Sequence, residues 1–232
     1  MSDINKLEKK IGVVFQNSDL LKEALTHRSY LNENPRWNLP HNERLEFLGD
    51  AVLELATSNH LFREFPNSPE GQLTVYRAAL VNYQALAEVA NEIDLDEYVL
   101  TSKGERKDQP KAMEVILANA MEAVIGAIYL DQGYVAAESF IKENVLTRLP
   151  EILKNKSYKD PKSELQEIVQ EKFRVTPSYQ VLAESGPAHE KEFTVGVYFG
   201  KDTPEAEGKG TSKQEAEVEA AKNALAKLAK QN

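Results

Sequence analysis

The stretch HNERLEFLGDAVLELATSNHLF, from His41 to Phe62, constrains this chain more than any other. Its apolar residues recur at helical spacing, yet Glu43, Glu46 and Asp50 fall among them at i, i+3 and i+7. At 3.6 residues per turn these carboxylates share one stripe within about 60° of arc, while Leu45, Leu48, Val52 and Leu55 point in other directions. Carboxylates are among the side chains least often buried without a partner, so something must offset their cost. A second apolar segment, VILANAMEAVIGAIYL, repeats the arrangement with Asn119 and Glu122 at i and i+3, set among Ile116, Leu117, Val124 and Ile125. If the two stripes face each other across a helical bundle, their oxygens converge into the ligand set that a hard cation such as Mg²⁺ requires. The plainer alternative is that both are solvated faces of amphipathic helices, as most charged stripes are. Glu54, further along the first stripe, reads as solvated, and Glu70, in SPEGQL, stands at a helix start where a carboxylate complements the dipole.

With 232 residues the chain can hold one medium domain and one small one. A formal net charge of −9, taken whole, argues against a phosphate-bearing partner. The acidity is uneven, however: residues 1–154 carry 16 basic against 24 acidic side chains, and residues 155–232 are near balance at 12 against 13. The absence of cysteine excludes a disulfide framework and any thiolate ligand or nucleophile, so a metal would be held by oxygen or by the four histidines. The start, MSDINKLEKKIGVVF, lacks the apolar run of a signal peptide, and no uncharged apolar stretch approaches the roughly 20 residues of a membrane span. These features lead to the expectation of a soluble cytoplasmic protein with no membrane partner and no organic cofactor.

From Lys6 to about Pro150 the pattern is helical: LLKEALTHRSYL, RLEFLGDAVLELATSNHLF, GQLTVYRAALVNYQALAEVANEI, AMEVILANAMEAVIGAIYLD and VAAESFIKENVLTRL, separated by prolines and by the polar run TSKGERKDQPK. After a polar linker the period changes. PSYQVLAESG and KEFTVGVYFG alternate as strands do, with Phe193, Val195, Val197 and Phe199 on one face, and EAEGKG suits a third short strand or turn. A helix, SKQEAEVEAAKNALAKLAK, closes the chain with Ser212 as its N-cap. The expected fold is two domains: an all-α domain over residues 1–153, a linker over 154–159, and a small α+β (α-β-β-β-α) domain over 160–230.

HNERLEFLGDAVLEL closely resembles the signature of the ribonuclease III family, and LLKEALTHRSY before it and ILANAMEAVIGAIYLDQGY after it resemble that family's flanking blocks. The resemblance implies a helical endonuclease domain that dimerises and uses Mg²⁺, with Mn²⁺ able to substitute, to hydrolyse phosphodiester bonds in double-stranded RNA. It implies 5′-phosphate and 3′-hydroxyl ends with short 3′ overhangs, in the processing of ribosomal or messenger RNA. Glu46, Asp50 and Glu122 match the family's catalytic and metal-binding carboxylates, Glu43 a supporting one, and Glu70 a further acidic position near the cleavage site. Phe47 resembles the aromatic knob that packs into the partner subunit of a homodimer; a plain core residue is the other reading. One departure stands out, because the family's usual Asp is Asn119 here. An amide oxygen can still ligate Mg²⁺, but it brings no charge and cannot act as a base.

The α-β-β-β-α order and the run GKGTSKQEAEVEAAKNAL resemble a double-stranded RNA-binding domain. Such a module reads 2′-hydroxyls in two successive minor grooves and the phosphates between them, because A-form RNA hides its bases in a deep major groove. Lys213 pairs an ammonium with the free N–H groups of a helix start, a natural phosphate site. The resemblance adds Gln166 and His189 as RNA contacts, with Ser212 beside Lys213; Gln214 replaces the family's common second lysine, a lost charge for which Lys209 can compensate as a further RNA contact. The leading expectation is therefore a double-stranded-RNA endonuclease. The alternative is a catalytically impaired RNA-binding protein that keeps the nuclease fold as a dimerisation platform, for which Asn119 is the only argument.

Overall fold

The computed structural model describes residues 4–108, 110–156, 158, 160–186 and 191–229, in two compact units, Met1–Tyr158 and Lys159–Asn232. The first unit is helical: α1 (Ile4–Ile11), α2 (Ser18–Ala24), α3 (Arg28–Glu33), α4 (Glu43–Glu64), α5 (Glu70–Val81), α6 (Tyr83–Glu92), α7 (Lys103–Asp108), α8 (Pro110–Gln132), α9 (Tyr134–Asn144) and α10 (Leu149–Asn155). Short 3₁₀ turns lie at Leu95–Glu97 and Leu146–Arg148.

α8 is the spine of this unit. Met121, Val124, Ile125 and Ile128 on it are fully buried, packed with Leu53 and Leu61 of α4 and Leu86 of α6 in one core. From Ala112 to Gln132 this helix is long and apolar enough to cross a membrane by length and composition. Here that apolarity is spent on being surrounded by other helices on most sides. α4 and α8 cross in direct backbone contact: a Cβ on Gly49 would overlap the carbonyl of Glu122, and one on Gly126 would overlap the carbonyl of Leu45. Each glycine thus faces the other helix's main chain, which only a hydrogen in place of a side chain permits.

Three segments that read as single elements are divided. LLKEALTHRSYL is broken into α2 and α3 because Leu25 and His27 exchange backbone hydrogen bonds with Leu100, at 2.8 and 2.9 Å, and Thr26 pairs with Leu100 as an isolated parallel bridge. The His27 ring then accepts from the Ser29 N–H as the cap of α3. The long segment from Gly71 to Ile93 breaks at Asn82, whose backbone is extended (ψ 159°). Its Oδ1 accepts from the Ala85 N–H and its amide donates to the carbonyls of Ala78 and Ala79, so one side chain ends α5 and begins α6. VAAESFIKENVLTRL divides into α9 and the 3₁₀ turn at Leu146–Arg148. Within TSKGERKDQPK, expected as a breaker, the short helix α7 forms, and α10 carries helical structure through Asn155.

The second unit contains α11 (Pro161–Phe173), an antiparallel sheet of β1 (Ser178–Ser185), β2 (Glu192–Tyr198) and β3 (Ala206–Gly210) in that order, and α12 (Lys213–Ala229). Val181 lies opposite Val195 and Ala183 opposite Thr194, so β1 carries one extra residue there. Both helices cover one face of the sheet. Leu165 and Val169 of α11, Val197 of β2, Phe199 just after it, and Ala220, Ala221 and Ala224 of α12 form the core. The three alanines keep α12 slim where it lies on the sheet.

Candidate functional site

The α4–α8 crossing decides where the polar stripes meet. Glu46 and Asp50 flank Gly49 on α4, and Glu122, whose own carbonyl Gly49 approaches, presents its side chain from α8. The three carboxyls act on one another electrostatically. Glu122 is pushed up to about 8, first by burial and then by the charges of Asp50 and Glu46. Burial is also the main cause raising Glu46, followed by Glu43 and Asp50. Asp50 is exposed, Glu46 and Glu122 are half-buried, and Asn119, one turn before Glu122, is half-buried as well. Among the described residues no three acidic or histidine side chains stand close enough to form a metal site by themselves. Mg²⁺ does not demand that, since it is commonly held by one or two carboxylates and keeps several waters.

The remaining expected positions fall around this centre with different partners. Glu43 is half-exposed, lies 3.7 Å from Arg28 and 3.8 Å from His41, and its charge helps to raise Glu46. Glu70 is the first residue of α5, where its carboxylate accepts from the Thr74 hydroxyl at 2.9 Å and complements the helix dipole. Phe47 is 81% exposed, which rules out the core-residue reading within this chain. It lines a cavity of about 610 Å³ together with Leu20, Leu48 and Leu130, with Glu23, His41 and Arg44 at its polar side. Glu54 keeps the solvent contact expected of it, with its side chain 41% exposed, and pairs with Arg77 of α5 at 3.1 Å, while Arg77 also donates to the Ser58 hydroxyl. Neither Arg77 nor the glycine pair was singled out from sequence; an isolated glycine in an apolar helix is the signal that finds Gly49.

In the second unit, Gln166 is exposed on α11 between the buried Leu165 and Val169. Ser212 caps α12 by accepting from the Glu215 N–H at 3.1 Å, and the Glu215 carboxylate reaches back to accept from the N–H of Thr211, the residue before the cap, at 2.9 Å. Lys213 is the first residue of that helix and is exposed, as is Lys209 on β3. His189 lies outside the described residues.

Known proteins give these two units a context. Residues 17–149 match the ribonuclease-III-like family and residues 161–228 match the double-stranded RNA binding motif. A protein named Ribonuclease 3 from a Nitratiruptor species is 42% identical over 232 residues, all of both chains. Another of that name from Carboxydothermus hydrogenoformans is 49% identical over 220 residues, covering 94% of this chain and 93% of its own. Among solved structures, the nuclease domain of ribonuclease III from Campylobacter jejuni, described for structural flexibility in a region involved in dimer formation, is 39% identical with a TM-score of 0.58. It aligns with 64% of this chain and 99% of its own. A helical unit with a clustered carboxylate centre, followed by an α-β-β-β-α unit of this motif, defines the class of double-stranded-RNA endoribonucleases. The chain belongs to the ribonuclease III family.

Proposed function

We propose that the chain is a dimeric, Mg²⁺-dependent endonuclease that cuts double-stranded RNA in the cytoplasm, with the helical unit cleaving and the second unit holding substrate. The observation that carries this reading is the close α4–α8 crossing, which sets Glu46 and Asp50 against the half-buried Glu122, whose carboxyl burial and their two charges push up. A structural cluster of that kind is costly, and a hard cation relieves the cost. All donors are oxygens, so the set suits Mg²⁺ or Mn²⁺ over softer metals. Glu46, Asp50 and Glu122 would hold the ion, one or two of them directly and the rest through its waters, with the Asn119 amide oxygen as a neutral further donor. When bound, such an ion polarises a phosphate and lowers the pKa of a water. The chain's own part is to orient the scissile phosphate over the α4–α8 crossing and to hold or give up a proton at the Glu122 carboxyl. Family membership supports 5′-phosphate and 3′-hydroxyl products with short 3′ overhangs, each strand cut by one protomer of the dimer. The exposed Phe47 beside its cavity supports the homodimer.

The alternative of a retired enzyme rests on Asn119 alone, and no other described residue favours it. Cleavage of a long labelled duplex RNA, with Mg²⁺ and with chelator, tests the proposal. Cutting that requires the ion and disappears in Glu122→Gln is the expected result, with Asn119→Asp cutting at least as fast as the parent. Binding without cutting, repaired by Asn119→Asp, would overturn it in favour of the binding protein.

A further inference from the structure

The lysines that the proposed reading assigns to RNA are already occupied. β1 ends and β2 begins at the same end of the sheet, with Ser185 opposite Glu192, and Thr194 of β2 lies opposite Lys209 of β3. α12 starts three residues after β3 ends. Glu184, opposite Phe193, lies on the side of the sheet that α12 and Lys213 cover, whereas Lys209, set between two glycines that face α12, lies with Glu192 on the other side. Glu184 lies 3.5 Å from Lys213 through one carboxylate oxygen and 3.5 Å from Lys191 through the other. Lys209 donates to Glu192 at 3.3 Å. The Lys213 ammonium also sits 5.7 Å from the centre of the Phe193 ring. The unit has little positive field of its own to compensate, since residues 160–232 carry 10 Lys+Arg against 13 Asp+Glu.

We propose that Glu184 and Glu192 are built-in counterions, one on each side of the sheet, that set the RNA affinity of the unit by holding Lys213 with Lys191, and Lys209, until phosphates displace them. This rests on the assignment of Lys209 and Lys213 as phosphate contacts. An exposed ion pair adds little to folding stability, because solvent serves both charges nearly as well. Its effect on binding is different, because each lysine must exchange a carboxylate for a phosphate. The abandoned carboxylate then faces a polyanion and draws in a cation. That uptake subtracts from the cations released by the RNA, so affinity and its dependence on salt are lowered together. Glu184, which holds two lysines at once, carries the larger share.

The test is equilibrium binding of a non-cleaved duplex RNA to the full chain, in chelator, across a range of salt concentrations. Four variants are compared with the parent: Glu184→Gln, Lys213→Gln, the pair combined, and Glu219→Gln. The last removes the same charge from an ion pair with Lys222 elsewhere on α12. Glu184→Gln is expected to tighten binding about threefold to tenfold and to steepen the slope of log K against log salt by up to roughly one. Glu219→Gln should tighten it distinctly less, and most of the gain from Glu184→Gln should vanish when Lys213 is Gln. A gain of equal size in the Lys213→Gln background, or from Glu219→Gln, would reduce the effect to overall charge and overturn the proposal. If Lys213→Gln does not weaken binding at all, the assignment beneath the proposal fails and takes it along. Circular dichroism of each variant separates these outcomes from misfolding.

Discussion

At the scale of single residues, Glu122 is where the chemistry and the cost of this site coincide. Its carboxyl is held up to about 8 by burial and by Asp50 and Glu46, against an ordinary value of 4.5. A carboxyl raised in the folded state binds its proton more tightly there than in the unfolded chain. The resulting stabilisation is complete below about pH 4.5 and is lost as the pH rises through 8. In chelator, Glu122→Gln should therefore melt close to the parent at pH 5 and above it at pH 8. With allowance for solvent screening, the gap at pH 8 is on the order of 1–2 kcal/mol. A gap of the same size at both pH values would show that Glu122 is not strained by ionisation. Scanning calorimetry at the two pH values decides it.

At the scale of elements, the geometry rests on how two helices touch and on where others stop. Gly49→Ala would drive a methyl into the Glu122 carbonyl, so α4 and α8 must separate or shift. The expected cost is about 3 kcal/mol or more of stability, in line with severe overpacking of a core contact. Any folded fraction should also cut RNA much more slowly, because the same shift moves Glu46 and Asp50 away from Glu122. Urea denaturation alongside a cleavage assay measures both, and an active variant of normal stability would refute the close crossing. Asn82 is a second such point. Asn82→Ala removes the bonds that end α5 and begin α6, with an expected loss of about 1–2 kcal/mol in the same urea experiment. A loss under a few tenths of a kcal/mol would mean that packing alone divides these helices.

At the scale of the whole molecule, Phe47 stands out, a large aromatic side chain 81% exposed that lines a cavity of about 610 Å³ with leucines on one side and charged residues on the other. In the proposed dimer, two copies related by a two-fold axis would each present the same ring and the same cavity to the other. Sedimentation at micromolar concentration should show a dimer for the parent and a shift toward monomer for Phe47→Ala, with unchanged helical content by circular dichroism. A parent that sediments as a monomer would remove the dimeric reading. The two units also divide the labour unevenly in charge. The helical unit carries most of the net −9, so attraction of RNA depends on a few local contacts and not on the field of the whole chain.

The sequence by itself determined the change from helical to alternating period near residue 160, the acidic stripes of α4 and α8, the N-cap at Ser212 and the exposure of Lys213. All of these follow from local periodicity and from the chemistry of helix ends, which need only neighbours along the chain. Only the tertiary structure decided that LLKEALTHRSYL breaks at Leu25–His27, because the bonds responsible come from Leu100, far along the sequence. The same holds for the Gly49–Gly126 crossing that sets Glu122 against Glu46 and Asp50, and for the carboxylates that hold Lys209 and Lys213. Glu54 shows the limit plainly: its place on the acidic stripe of α4 is written in the helix, but its partner Arg77 sits on another element. Spacing along a chain reports which face a side chain takes, whereas what that face meets depends on contacts between residues distant in sequence.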